Sequence, residues 1–239
     1  MIRVFETAEE LSKAAAELFV ESAASAIDKK GKFLVSLSGG STPKRAFEIL
    51  AQPEFKEQVQ WDKVHIFWGD ERCVPFIHPD SNAGMTFKAL LDHVSVPSEQ
   101  IHLIKGDIPP HDAALIYNEL LKKLFKDSET TFDLVFLGMG ADGHTASLFP
   151  HTPVLEEVSH FAKEVYLEEL GKFRITITKN VINKAARVAF LIAGENKAEV
   201  LKEVMYGERN YKQYPSQLIK PENGELIWLV DKAAAQAIG

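Results

Sequence analysis

Short apolar runs alternate with helix-like segments along most of this 239-residue chain, and this alternation constrains the fold more than any other feature. Helical spacing of apolar residues predicts helices over 7–30, with Thr7 as N-cap, and over 44–50, 83–93, 112–126 and 197–205. The apolar runs, which we predict to be strands, span 33–37, 64–68, 132–137, 174–178, 188–193 and 226–230. Strands that are apolar almost throughout are buried on both faces, as in parallel sheets covered by helices. We therefore predict an α/β fold with three layers, α/β/α, and a mostly parallel, Rossmann-like sheet.

Composition and charge narrow the class of protein further. No repeat, low-complexity tract or linker interrupts the chain, so we expect one domain over residues 1–239. The net charge of −7 argues against nucleic-acid binding, which needs an excess of Lys and Arg. Cys73 is the single cysteine, which excludes an intrachain disulfide and fits a reducing compartment. Because neither a signal peptide nor a membrane-length apolar run is present, we expect a cytoplasmic protein without membrane contact; the oligomeric state stays open.

A glycine-rich loop directly follows the apolar run at 132–137 and carries the strongest functional signal. It reads G-M-G-A-D-G-H-T-A-S-L-F over residues 138–149. Ligands bind at the carboxyl ends of the strands in open α/β sheets. Asp142 and His144 are therefore delivered to the edge of the sheet where chemistry is expected.

The same loop also matches the dinucleotide-binding fingerprint G-x-G-x-x-G. That fingerprint needs a full helix after the loop, whereas Pro150 would end any helix within about two turns. Asp142 would also place a carboxylate inside the phosphate loop. The simplest structural alternative, glycines that only turn a strand into a loop, does not account for Asp142 and His144.

A second glycine-rich loop, S-G-G-S-T-P at 38–43, follows the strand predicted at 33–37. Gly39 and Gly40 allow a ligand to approach the backbone, and Ser41 or Thr42 can cap the next helix, with Pro43 at its first position. Free N–H groups at a helix start bind anions. The alternative is an ordinary strand-to-helix turn.

Charged residues follow other strands. Asp70, Glu71 and Arg72 come after the strand at 64–68, and Arg72 is suited to clamping a phosphate. A solvated charge cluster is the alternative. Arg174 and Lys197 are further cations near strand ends, where either is equally explained as an ordinary edge residue. The segment 79–82 is interpreted as a turn that caps the next helix.

Other chemistries lack their motifs. Neither G-x-S-x-G nor H-E-x-x-H occurs, and the spacing of His144 and His151 is poor for zinc. We expect neither a metal nor a cofactor.

Together these motifs resemble the 6-phosphogluconolactonases, within a group that includes the glucosamine-6-phosphate deaminases. The matching segments, in family order, are L-S-G-G-S-T-P (37–43), G-D-E-R (69–72), H-P-D-S-N (78–82), F-D-L-V-F-L-G-M-G-A-D-G-H-T-A-S-L-F-P (132–150), R-I-T-I-T (174–178), A-G-E-N-K-A (193–198) and E-L-I-W-L-V-D-K-A-A (225–234). Deaminases carry a catalytic Glu five residues after the His, where this chain has Phe149. Two departures from the pattern are Cys73, where an aromatic is common, and the segment 171–173, where a proline-rich lead is common.

The resemblance implies a single α/β domain that hydrolyses a phosphorylated sugar lactone, 6-phospho-D-glucono-1,5-lactone, in the oxidative pentose phosphate pathway without metal or cofactor. His144 would be the general base and Asp142 its neighbour. The substrate-binding residues would be Gly39, Gly40, Ser41, Thr42, Asp70, Arg72, Arg174 and, as a weaker candidate, Lys197. Two alternatives are a deaminase or isomerase, disfavoured by Phe149, and a non-enzymatic sugar-phosphate sensor, which would not need Asp142 and His144.

Overall fold

A seven-stranded parallel sheet forms the centre of the computed structural model, which describes residues 1–126 and 128–238. Strands within the described residues are β1 (Ile2–Phe5), β2 (Phe33–Leu37), β3 (Val64–Trp68), β4 (Asp70–Arg72), β5 (Ile101–His102), β6 (Leu134–Leu137), β7 (Ala162–Leu167), β8 (Lys172–Ile177), β9 (Arg187–Ile192) and β10 (Glu225–Asp231). The central sheet has the order β1-β10-β9-β6-β2-β3-β5, and all its neighbouring strands are parallel. The predicted α/β fold with a mostly parallel sheet is confirmed.

Helices connect many of these strands. They are α1 (Ala8–Lys30), α2 (Ser41–Leu50), α3 (Pro53–Lys56), α4 (Asn82–Ala89), α5 (Pro110–Phe125), α6 (Lys179–Ile182), α7 (Ala198–Tyr206) and α8 (Lys232–Ala235). In the long helix α1, the Thr7 hydroxyl accepts the Glu10 N–H at 3.2 Å, as the predicted N-cap requires. Nowhere in the two described ranges is a helix both long and apolar enough to cross a membrane.

The strands are buried because both faces of the sheet are covered. All residues of β2 and β6 are buried, and Phe33, Phe136 and Phe190 are among the largest fully buried side chains. Burial on both faces explains why these strands are continuously apolar in the sequence. The strands β2 and β3 occupy the predicted ranges, whereas β6 begins two residues later, at Leu134.

A second, three-stranded antiparallel sheet has the order β4-β8-β7. The run predicted at 174–178 belongs to β8 and therefore lies outside the central parallel sheet, and the charged segment at 70–72 is itself the strand β4. Antiparallel pairing sets Arg72 of β4 directly opposite Arg174 of β8. The small sheet therefore joins two segments about a hundred residues apart, and its strand β4 begins two residues after the end of β3.

Candidate active site

A cavity of about 480 Å³ opens at the carboxyl ends of the central strands. Its walls come from the loops that follow β2, β6 and β9, together with β4, β8 and the first residue of α4. The chain runs outward from β2 to β3 and β5 on one side and from β6 to β9 and β10 on the other, so the cavity lies where the strand order reverses. Such switch points are where open α/β sheets bind their ligands. Every predicted site residue except Asp142 lines this cavity, and Asp142 contacts the lining residue His144.

The loop after β6 forms a histidine–carboxylate pair. The Nδ1 atom of His144 lies 2.6 Å from Oδ1 of Asp142, which also accepts the His144 backbone N–H at 3.1 Å. Burial opposes ionisation of Asp142, but the hydrogen bond and charge of His144 outweigh it, so the pKa of Asp142 lies below its ordinary value. The carboxylate accepts a hydrogen bond from the Nδ1–H group, which leaves Nε2 as the basic nitrogen of the neutral ring.

The His144 ring is confined from two sides. The Phe149 ring stacks on it with centroids 4.0 Å apart and planes inclined by 19°. On the loop, a side chain at Gly140 would overlap both the His144 ring and the Asp142 carboxylate. Glycine at this position is therefore a steric requirement for the Asp142–His144 pair.

This loop does not continue into a helix. The Gly140 N–H donates to the His144 carbonyl at 2.8 Å, and the Thr145 hydroxyl donates to the Gly138 carbonyl at 2.8 Å. No α-helix occurs between β6 and β7, all of which lies in the described part of the chain. The dinucleotide fingerprint therefore lacks the helix that it needs.

Two arginines lie side by side at another part of the cavity. The β4–β8 register pairs Arg72 with Arg174, and Arg72 Nη1 donates to the Asp80 carbonyl at 2.5 Å. Burial, and then the charge of Arg72, lower the pKa of Arg174 below its ordinary value. Two neighbouring guanidinium groups in a half-buried site repel each other unless an anion lies between them. This pair is suited to a doubly charged phosphate.

The loop after β2 differs from the prediction in how the next helix begins. The helix α2 starts at Ser41 with Gly40 as N-cap at φ 101°, so neither Ser41 nor Thr42 caps it, and Pro43 is its third residue rather than its first. The left-handed φ of Gly40 lets the helix begin earlier. Within the described residues no side chain caps α2, and its first residues, Ser41 and Thr42, line the cavity, so their N–H groups are candidate anion donors.

Lys197 reaches the cavity from the short turn that precedes α7. Burial lowers the pKa of its ammonium group, and the charge of Asp142 opposes that shift. The Asp231 carboxylate holds this turn by accepting the Gly194 N–H at 3.1 Å. Lys197 thus supplies a third positive charge in the cavity, close enough to Asp142 for the charge of Asp142 to act on its pKa.

The charge triplet at 70–72 is ordered rather than solvated. Glu71 is 2% exposed and accepts the N–H groups of Arg72, Asn82 and Ala83, each at 2.8 Å. Its burial raises the pKa of its carboxyl, and these N–H bonds oppose the shift. Glu71 therefore connects β4 to the start of α4, which holds Arg72 in place.

Asp70 contacts two cavity residues that sequence reasoning did not assign to the site. Its carboxylate accepts the Ser147 hydroxyl at 2.6 Å and an amide N–H of Asn82 at 3.2 Å. A side chain at Gly39 would overlap Asn82, so the two loops are in close contact. Asn82, interpreted from sequence as part of a helix-capping turn, thus also lines the cavity, while Ser81 provides the cap. Asn82 and Ser147 belong to the motifs H-P-D-S-N and T-A-S-L-F, and these motifs were the sequence signal that could have assigned them to the site.

No group of three or more His, Cys, Asp or Glu side chains that could hold a metal ion occurs in residues 1–126 and 128–238. His144 and His151 do not form such a group. His151 instead contacts Gln213, with Nε2 3.2 Å from Oε1.

Comparison with known proteins gives consistent matches. A family model described as "Glucosamine-6-phosphate isomerases/6-phosphogluconolactonase" matches residues 6–228. A 6-phosphogluconolactonase from Haemophilus influenzae is 41% identical over 204 residues, covering 85% of this chain and 87% of that protein. One from a Nostoc species is 43% identical over 213 residues, covering 87% and 86%. The solved structure of 6-phosphogluconolactonase from Trypanosoma brucei superposes with a TM-score of 0.85 at 25% identity, covering 100% of this chain and 98% of that one.

Proposed function

This chain belongs to the glucosamine-6-phosphate isomerase/6-phosphogluconolactonase family, and from that premise we propose how it hydrolyses 6-phospho-D-glucono-1,5-lactone to 6-phospho-D-gluconate, a step of the pentose phosphate pathway. His144 is the general base, Asp142 orients it, and Arg72, Arg174 and the start of α2 hold the phosphate. The observation that carries the proposal is that one cavity contains both the histidine–carboxylate pair and the paired arginines.

Hydrolysis begins when Nε2 of His144 takes a proton from a water molecule that attacks the lactone carbonyl carbon. The ionised Asp142 stabilises the resulting imidazolium through Nδ1. When the tetrahedral intermediate collapses, the bond from C1 to the ring oxygen breaks and the imidazolium returns its proton to that oxygen. Base catalysis of this kind contributes about 10²–10⁴-fold. A lactone is an activated ester, so no covalent nucleophile is required.

The phosphate contacts select and position the substrate. Arg72 and Arg174 provide planar donors, and α2 adds backbone N–H groups at its positive end. Lys197 is a further donor to the sugar phosphate. Because the protein carries a net charge of −7, short directed contacts must offset the long-range repulsion of a dianion.

Deamination of an amino sugar phosphate is the alternative on this scaffold. Deaminases carry a Glu where this chain has Phe149, and here that side chain stacks its ring on His144. An aromatic face at this position supplies no carboxylate for proton transfer. The stacking therefore favours lactone hydrolysis.

The test is to generate the lactone by enzymatic oxidation of glucose 6-phosphate and to follow acid release with and without the protein. His144→Ala should lower kcat by at least about 100-fold with little change in KM, because the base acts only in the transition state. His111→Ala is the matched control. His111 also pairs with a carboxylate, with Nδ1 3.2 Å from Glu164 Oε1, but it lies outside the cavity. Near wild-type kcat in His144→Ala would eliminate His144 as the base.

The pH dependence gives a second test of the same role. The rate should rise with pH, because only the neutral form of His144 accepts the proton. A profile that stays flat from pH 5 to pH 8 would contradict the assignment.

A further inference from the structure

The segment that connects α7 to β10 packs against the loop that carries His144. We infer that residues 210–216 act as a brace that positions this loop, and that Ser216 is the positioning residue for the Asp142–His144 pair. The inference rests on the proposed role of His144 as general base. No motif in the sequence marks this segment, and Ser216 does not line the cavity.

The main contact is at Gly143, between Asp142 and His144. The Gly143 carbonyl accepts two hydrogen bonds from Ser216, one from the backbone N–H at 2.9 Å and one from the hydroxyl at 2.8 Å. Ser216 is 1% exposed, so water does not compete for that carbonyl. The orientation of the Gly143–His144 peptide is therefore set by a residue more than seventy positions away.

Tyr214 holds the other side of the same glycine. Gly143 has a φ of 82°, and a Cβ placed there would lie 3.0 Å from Tyr214 Cδ1 and 3.1 Å from Tyr214 Cα. The brace therefore packs directly on the backbone of Gly143. A glycine is required here both by its left-handed φ and by this close approach.

The brace also holds the far end of the loop. The His151 N–H donates to the Lys212 carbonyl at 3.0 Å, and His151 Nε2 lies 3.2 Å from Gln213 Oε1. His151 adopts φ 60°, a conformation uncommon for a residue with a side chain. The loop from 143 to 151 is thus tied to one segment at both ends.

The brace is itself anchored to the end of α7. Gln217 follows Ser216, and its amide donates to the Glu203 carbonyl at 3.0 Å and to the Glu208 carbonyl at 3.1 Å, while its Oε1 accepts the Asn210 N–H at 2.6 Å. A catalytic group must be held to a fraction of an ångström, which a glycine-rich loop does not achieve alone. The anchored brace supplies that restraint from outside the cavity.

Ser216→Ala tests the inference, with Ser12→Ala as a matched control. Ser12 is also 1% exposed and donates its hydroxyl to a backbone carbonyl, that of Ala8, at 2.8 Å, but it lies in α1 away from the cavity. We expect Ser216→Ala to lower kcat about tenfold or more with KM within about twofold, since misplacement of a reacting group slows the chemical step. Ser12→Ala should lose comparable thermal stability and keep its kcat.

The imidazole NMR signals of His144 provide a readout that a purely structural role would not move. They should shift or broaden in Ser216→Ala and remain unchanged in Ser12→Ala. Tyr214→Ala, which removes the ring from Gly143, should show the same selective loss of kcat and decides the question if Ser216→Ala does not fold. Wild-type kcat in the folded variants, or an equal effect of Ser12→Ala, would overturn the inference. If the wild-type protein does not hydrolyse the lactone, or if His144→Ala retains activity, the proposed function itself fails.

Discussion

Replacing Arg174 by Ala should remove most of the preference for a phosphorylated lactone while sparing the reaction itself. Arg174 lies opposite Arg72 across the β4–β8 register and lines the cavity. A hydrogen bond to a charged group contributes about 1.5–3 kcal/mol. A guanidinium that makes two such bonds to a phosphate at the lower end contributes about 3 kcal/mol, which corresponds to roughly 10²-fold in kcat/KM. The Arg174→Ala variant should lose about that factor on 6-phosphogluconolactone.

The assay compares kcat/KM for 6-phosphogluconolactone and for unphosphorylated gluconolactone in the same variant. The slow activity on gluconolactone should stay nearly intact if Arg174 contacts only the phosphate, as we propose. Lys172→Ala is the control: it removes the same unit of charge from the same strand, but Lys172 is exposed and lies outside the cavity. An equal loss on both substrates would place Arg174 at the reacting centre or in the fold, and the phosphate assignment would be wrong.

Three further predictions concern the loop, the metal and acid stability. Gly140→Ala should lower kcat by about 10² or more in a folded protein, because its methyl overlaps the Asp142–His144 pair; unchanged kcat would mean that the pair is not needed. Activity should survive exhaustive chelation, since no suitable cluster exists in the described ranges; loss with EDTA that zinc restores would contradict this. Burial, and then the charge of His65, lower the pKa of His102 to about 4 in the folded protein. As pH falls below 6.5, His102 is therefore protonated in the unfolded chain before it is protonated in the folded protein. The free energy of unfolding should therefore decrease between pH 6.5 and pH 4, by at most about 3 kcal/mol because the site is partly solvated. Urea unfolding should show a smaller decrease for His102→Gln than for the wild-type protein. The same pH dependence in both proteins would refute this prediction.

Local sequence determined many of the secondary elements and indicated the loop that carries Asp142 and His144. Apolar runs, helical spacing and the Thr7 cap are properties of neighbouring residues, so β2, β3 and α1 were predicted close to their observed bounds. The Asp142–His144 pair was accessible for the same reason, because two residues of one loop form it. The start of α2 was predicted wrongly, because the residues next to Gly40 do not determine its φ.

Tertiary structure alone decided which distant segments meet. Residues 70–72 and 172–177 pair in a separate antiparallel sheet, and only that register sets Arg72 beside Arg174. The contact of Ser216 with Gly143 likewise joins two loops that share no local pattern. Strand register and loop packing depend on which surfaces fit together after the chain has collapsed, whereas propensity and capping act within a few residues. The sequence alone therefore indicated the Asp142–His144 pair as the candidate catalytic residues, and the folded chain determined what holds these residues and what lies opposite them.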